Sequence, residues 1–149
     1  MITVNLQTEI EAPIETVFDL LADHTKFPLW DPYMIECKLY TEGPIVKGSK
    51  GITIGKFRGK RIETEIYYDA YDRPTYVSGG TTSGPVKARN MSEFSSFERG
   101  TLINWKMEVQ FKGFMRFLEP FMKSSLINQR KETMDALKEY IAKNQSVLS

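Results

Sequence analysis

The chain has 149 residues, 20 Lys and Arg against 19 Asp and Glu, one cysteine and one histidine. That length suits a single domain over residues 1–149 able to bury its own core. The balanced charge, with no basic stripe, excludes the electrostatic footprint of a nucleic-acid binder, and a lone Cys37 and a lone His24 leave neither an internal disulfide nor a cluster of zinc spacing.

The amino terminus, MITVNLQTEIEAP, carries charge early and has no apolar signal region, and no stretch approaches the ~18 apolar residues of a membrane span. The expectation is a soluble, cytoplasmic protein, monomer or homodimer, without stable membrane insertion and without a cofactor.

Ile2, Val4, Leu6, Thr8 and Ile10 alternate with polar residues, the period of two of a strand with one buried face. Pro13 then suits a first helical position, and Ile14, Val17, Phe18 and Leu21 follow at helical spacing to about Ala22, with Glu15 placed to favour the helix dipole. A second short helix is expected from His24 to Trp30, stopped by Pro28 or Pro32.

From Met34 to Phe111 strand-like runs alternate with turn chemistry. Strands are expected over Ile35 to Thr41, Ser49 to Phe57 (turning near Arg58-Gly59-Lys60), Arg61 to Tyr71 and Thr75 to Gly79. A polar loop is read over Ser78 to Pro85. Val86 to Phe97 and Thr101 to Phe111 flank Glu98-Arg99-Gly100 as a hairpin, with Ile103, Trp105, Met107, Val109 and Phe111 on one face.

Gly113 to Asn144 reads as one long amphipathic helix, with a tail after Asn144 expected to fray. Leu126, Ile127, Met134, Leu137 and Ile141 stack on one side, and Phe114, Phe117 and Phe121 form a second set. Pro120 predicts a kink or break near Glu119 to Met122. The first half of this helix is thereby free to cover something.

The order is strand, two short helices, about six antiparallel strands and a long terminal helix. It describes an α+β domain with its helices on one face of the sheet. Inward candidates mix Tyr68, Phe94, Trp105 and Met107 with Ser78, Ala88, Asn90 and Ser92. That composition fits an apolar pocket with a few orienting polar groups, and equally a packed core with tolerated hydroxyls.

Several residues have two readings. His24 has the chemistry of a general base, but its place beside Asp23 at a helix boundary, with no nucleophile to activate, points to a surface or capping role. Asp23 and Asp31 read as a cap and a turn rather than an acid pair. Cys37 reads as a small buried hydrophobe in a strand, and Trp30 as core or as a lid over a pocket mouth. Arg130 falls between Leu126, Met134 and Leu137 on the apolar stripe, where a charge must be paired, bound to an anionic ligand or extended outward. A structural ion pair is its plainer role, and a carboxylate or phosphate partner the sharper one.

The segment IEAPIETVFDLLADHTKFPLWDPYM resembles the amino-terminal signature of the START-like, helix-grip superfamily, especially its polyketide cyclase/dehydrase and coenzyme-Q-binding branch. The matching positions are Ala12, Pro13, Val17, Phe18, Asp23, Phe27, Trp30 and Pro32. The Glu98-Arg99-Gly100-Thr101 turn and Ala136-Leu137-Lys138 agree as well. The resemblance covers the whole chain in element order and implies a helix-grip fold, a curved antiparallel sheet of about six to seven strands wrapped on the carboxy-terminal helix. It also implies a hydrophobic ligand, such as a lipid, sterol, quinone or polyketide, held between sheet and helix.

The ligand-binding candidates are then Phe27, Trp30, Tyr68, Ser78, Asn90 and Ser92 with Trp105, Met107, Phe114, Phe117, Phe121 and Arg130. No catalytic or metal-binding constellation is visible. The leading expectation is a carrier of a hydrophobic small molecule. Alternatives are a cyclase, dehydrase or hydrolase of an aromatic or polyketide-like compound, and a protein-interaction module.

Overall fold

The alternation at the amino terminus produces strand β1 (Ile2–Ile10) in a computed structural model that describes residues 1–57, 59–81 and 86–145. Ile2, Val4 and Ile10 are buried on its inner face. Pro13 immediately precedes helix α1 (Ile14–Ala22), which buries Val17, Phe18, Leu20 and Leu21. A 3₁₀ helix, His24–Leu29, follows. Asp23 caps it, its Oδ1 accepting the Thr25 backbone N–H at 2.9 Å, as the sequence suggests.

Six more strands complete the sheet: β2 (Met34–Leu39), β3 (Lys50–Phe57), β4 (Lys60–Asp72), β5 (Tyr76–Thr81), β6 (Val86–Phe97) and β7 (Gly100–Phe111). The seven strands lie in the order β1-β7-β6-β5-β4-β3-β2, and every neighbouring pair is antiparallel.

Two local features depart from the sequence reading. The polar stretch read as a loop from Ser78 continues as strand to Thr81, and residues 82–85 lie outside the described residues. Its glycines answer to close approach of the neighbouring strands rather than to a turn. A Cβ on Gly79 would run into the Tyr67 carbonyl, and one on Gly80 into the Ala88 carbonyl. Arg58 of the expected turn and residues 146–149 of the expected tail also fall outside the described residues.

The second feature is a bulge in β4. Tyr68 pairs with Gly79 and Ala70 with Ser78, which leaves Asp69 as the extra residue. The alternation therefore reverses at Asp69. Tyr68 and Tyr71 both turn inward, their rings 5.7 Å apart, although they are three residues apart in one strand.

At the carboxy terminus the expected single helix is a 3₁₀ helix, Gly113–Leu118, followed by α2 (Glu119–Lys143). Pro120 lies in the first turn of α2, where its missing N–H costs no helical hydrogen bond, so the break expected near Glu119 is present and takes the form of a helix start. Glu119 pins that start to the end of β7, its Oε1 accepting the Phe111 N–H at 3.1 Å.

Helix α2 spans two clusters of the core. Met134 and Leu137 join Val17, Phe18, Leu21, Phe94 and Ile103 in one cluster, while Leu126 and Ile127 pack on Ile2, Val4, Trp105, Val109 and Phe111 in the other.

Candidate functional site

Both clusters contribute walls to one cavity of about 330 Å³. Its sheet side carries Tyr68, Val77, Asn90, Ser92, Trp105 and Met107, its helix side Leu126, Gln129, Arg130 and Thr133, and its end Leu21, His24 and Phe27. That size lies at the lower end of the range for small-molecule sites, and the mostly apolar lining with a few polar groups is their usual composition.

Register explains how the sheet residues converge. Asn90 sits opposite Met107 and Ser92 opposite Trp105, so all four share the inner face of the β6–β7 pair. The Trp105 indole N–H donates to Asn90 Oδ1 at 3.1 Å, which holds both side chains in place. Ser78 behaves differently. It is opposite Met91, on the far face from Asn90 and Ser92, and its hydroxyl bonds the Asp69 carboxylate. Asp69 in turn accepts from Arg89 Nε at 2.9 Å, which holds its carboxyl below the usual range. Ser78 thus borders the cavity in the strand while its hydroxyl serves an ion pair of the outer face.

His24 corrects the sequence reading more deeply. It is half-buried rather than exposed. Its ring stacks on Phe27 at 4.6 Å, and its Nδ1 lies 2.6 Å from the Tyr68 hydroxyl. The same hydroxyl accepts the His24 backbone N–H at 3.1 Å and donates to the Ala22 carbonyl at 2.9 Å. With the Tyr68 proton directed to the Ala22 carbonyl, the hydroxyl oxygen is placed to accept from His24 Nδ1–H. This tautomer leaves Nε2 as the unprotonated nitrogen, in a side chain on the cavity wall. Burial pushes the imidazole down to about 4, with Asp23 opposing and the Arg130 charge reinforcing the shift, so at neutral pH it is uncharged.

Arg130 reaches the cavity from α2, its guanidinium 4.3 Å from the Trp105 ring centre. Its Nε is buried without a hydrogen-bond partner. The plainer expectation of an ion pair is not met among the described residues. Asp31 is the acid whose charge acts on Arg130, yet burial raises its own carboxyl, and its Oδ1 serves the turn by accepting the Tyr33 N–H at 2.9 Å. Burial without a close counter-charge lowers the guanidinium to about 9.

Other candidates lie outside this group. Trp30 is buried and tied by its indole N–H to the Leu20 carbonyl at 3.1 Å, a core position rather than a lid, and it does not line the cavity. Phe114, Phe117 and Phe121, read as a cover, stand 81%, 80% and 78% exposed and do not line it either. Met115 of the 3₁₀ helix and Met122 of α2 pack on the core in this stretch instead. Cys37 is a buried free thiol, raised to about 11 by burial and so unreactive near neutrality. Among the described residues no three His, Cys, Asp or Glu side chains gather as metal ligands, and no helix is long and apolar enough to cross a membrane.

Residues 1–142 match the family described as polyketide cyclase/dehydrase and lipid transport. The chain belongs to this family. No curated protein matches it in sequence. Solved structures similar to this family member include a protein of unknown function from Staphylococcus aureus, with a TM-score of 0.77 and 14% identity over 97% of this chain and 96% of that one. A START superfamily protein from Mycobacterium smegmatis aligns with a TM-score of 0.72 and 16% identity over 99% of both chains. The di-domain ARO/CYC BexL of the BE-7585A biosynthetic pathway gives 0.75 and 13% identity, covering 93% of this chain and 49% of that one. At these identities the likeness is one of fold, and the helix-grip architecture of the polyketide cyclase/dehydrase and lipid transport family is the one seen here.

Proposed function

We propose that the protein binds and carries a hydrophobic small molecule between the sheet and α2. The observation that carries this reading is the cavity of about 330 Å³, with Val77, Trp105, Met107 and Leu126 against a few fixed polar groups. Burial of apolar ligand surface supplies affinity at roughly 25 cal/mol per Å², and the bonded pair of Asn90 and Trp105 presents a preorganised wall. The exposed Phe114, Phe117 and Phe121 support exchange by offering an apolar landing at the start of the terminal segment. A hydrophobic ligand taken from and returned to other apolar surroundings needs such an entry.

The second reading is a cyclase, dehydrase or hydrolase. It is favoured by the neutral His24 imidazole, held by Tyr68 with Nε2 unprotonated on the same cavity as Arg130. One structural neighbour, BexL, is an ARO/CYC. In this reading His24 would take a proton from the ligand while Arg130 stabilised the developing oxyanion. A protein-interaction module, the third alternative, is disfavoured by an interior that side chains do not fill.

Native mass spectrometry of the purified protein, before and after addition of fatty acids, sterols, quinones and flavonoids, tests the carrier reading. A one-to-one complex with an unaltered compound is the expected result. Release of a chemically changed product would select the enzyme instead, and failure to bind any of the panel would turn attention to protein partners.

A further inference from the structure

The cavity holds a charge, that of Arg130, with which no described residue forms an ion pair. Arg130 has Leu126 and Met134 one turn away on either side, so its stem rises from the apolar stripe of α2. Trp105 takes one face of the guanidinium, and Asn90 anchors the indole, so the direction of the fork is set by packing. Its Nε is buried and unpartnered, and no carboxylate among the described residues forms an ion pair with it.

The other titratable groups on the cavity do not replace that partner. Asp31 acts on Arg130 only from beyond ion-pair distance, and its Oδ1 is held by the Tyr33 N–H. His24 is uncharged near neutrality, and the Tyr68 phenol is raised well above its ordinary range. A half-buried cation whose Nε is enclosed without a partner is disfavoured, and an incoming anion relieves that. The planar fork of a guanidinium matches two oxygens of a carboxylate, whereas a hydrated phosphate would bring more charge than one arginine balances.

We propose that the ligand is an amphipathic acid, an apolar chain or aromatic body ending in a carboxylate that pairs with Arg130 at the Trp105 side of the cavity. This rests on the small-molecule reading above and specifies its ligand class. About 330 Å³ accommodates a single acyl chain or a fused aryl body rather than a two-chain lipid. The apolar body lies against Met107, Leu126 and Val77, and the carboxylate completes the guanidinium.

The experiment compares each acid with its neutral counterpart: decanoate with decanol, and 2-naphthoate with its methyl ester, by titration calorimetry near pH 7. The expected result is a preference of about tenfold or more for the acids, the scale of one charge-assisted contact in a dry site. Arg130→Met is expected to abolish the preference while still binding decanol, and Arg130→Lys, which keeps the charge but loses the fork, to retain only part of it. Equal affinity of acid and neutral partner for the unmodified protein overturns the proposal and leaves the carrier reading standing. A preference that survives in Arg130→Met also overturns it. If none of the four compounds binds, the carrier reading falls and the proposal with it. The comparison on the unmodified protein decides the matter even if the methionine variant does not fold.

Discussion

The guanidinium of Arg130 lies 4.3 Å from the centre of the Trp105 ring, and its buried Nε has no hydrogen-bond partner. An arginine kept for stability would be paired. Replacing an unpaired buried charge with an apolar side chain is neutral or favourable, while breaking a true buried ion pair costs about 3–5 kcal/mol. Arg130→Met is therefore expected to raise the stability of the ligand-free protein by roughly 1 kcal/mol, even after loss of the ring contact. Urea denaturation checks this, and a loss of several kcal/mol would reveal a structural partner.

His24 gives stability a defined pH dependence. Its folded value, about 4, lies below its ordinary 6.5 because burial disfavours the charged ring. Between those values the unfolded chain binds the proton and the folded one does not, so stability is complete above pH 6.5 and falls as pH drops toward 4. The facing groups are Asp23, which opposes the shift, and Arg130, which adds to it. A loss of up to about 3 kcal/mol is expected from this group. In His24→Asn, whose amide can still donate to Tyr68, the decline over that interval should flatten, as thermal melts at successive pH values would show.

Tyr68→Phe removes one hydroxyl and leaves three groups without it: the Ala22 carbonyl, the His24 backbone N–H and the His24 ring. Buried groups stranded in this way cost about 1–3 kcal/mol. The variant is expected to lose that much in chemical denaturation, and an unchanged midpoint would mean the three bonds contribute nothing net.

Gly80→Ala tests the curvature of the sheet. The added methyl would collide with the Ala88 carbonyl across the β5–β6 pair. Neither carbonyl nor strand can yield without disturbing the ladder, so a loss of about 3 kcal/mol, or insoluble protein, is expected. A melting temperature equal to that of the parent would show that β5 and β6 do not lie this close.

The order of elements was legible in the sequence because it rests on periodicity. The period of two in Ile2 to Ile10 and in Ile103 to Phe111, and the helical spacing of Met134, Leu137 and Ile141, became buried faces. Register across β6 and β7 brought Asn90, Ser92, Trp105 and Met107 to one wall, and helical spacing placed Arg130 on that cavity. What sequence could not supply was contact at a distance. His24 reads as a surface residue because Tyr68, its partner, lies 44 positions away. Ser78 reads as inward-facing because the short, glycine-containing β5 has no alternation of its own to set its faces, which the pairing of Ser78 with Met91 does. The glycines at 79 and 80 read as loop because close strand approach and turn formation call for the same residue. Phe114, Phe117 and Phe121 read as a cover because a break at Pro120 frees the start of the segment; the break is there, but which face such a freed segment presents is not set by its own pattern, and the three rings stand exposed.

A small molecule entering the cavity between sheet and α2 would be reported by the two tryptophans of the chain. The Trp105 indole N–H borders the cavity and bonds Asn90, while the Trp30 indole N–H bonds the Leu20 carbonyl outside its lining. In a nitrogen-15 NMR titration with decanoate and 2-naphthoate, the Trp105 indole signal should move saturably and the Trp30 signal should stay in place. If neither signal moves, or the shifts are confined to residues of the outer face, the cavity is not a binding site and the account is wrong.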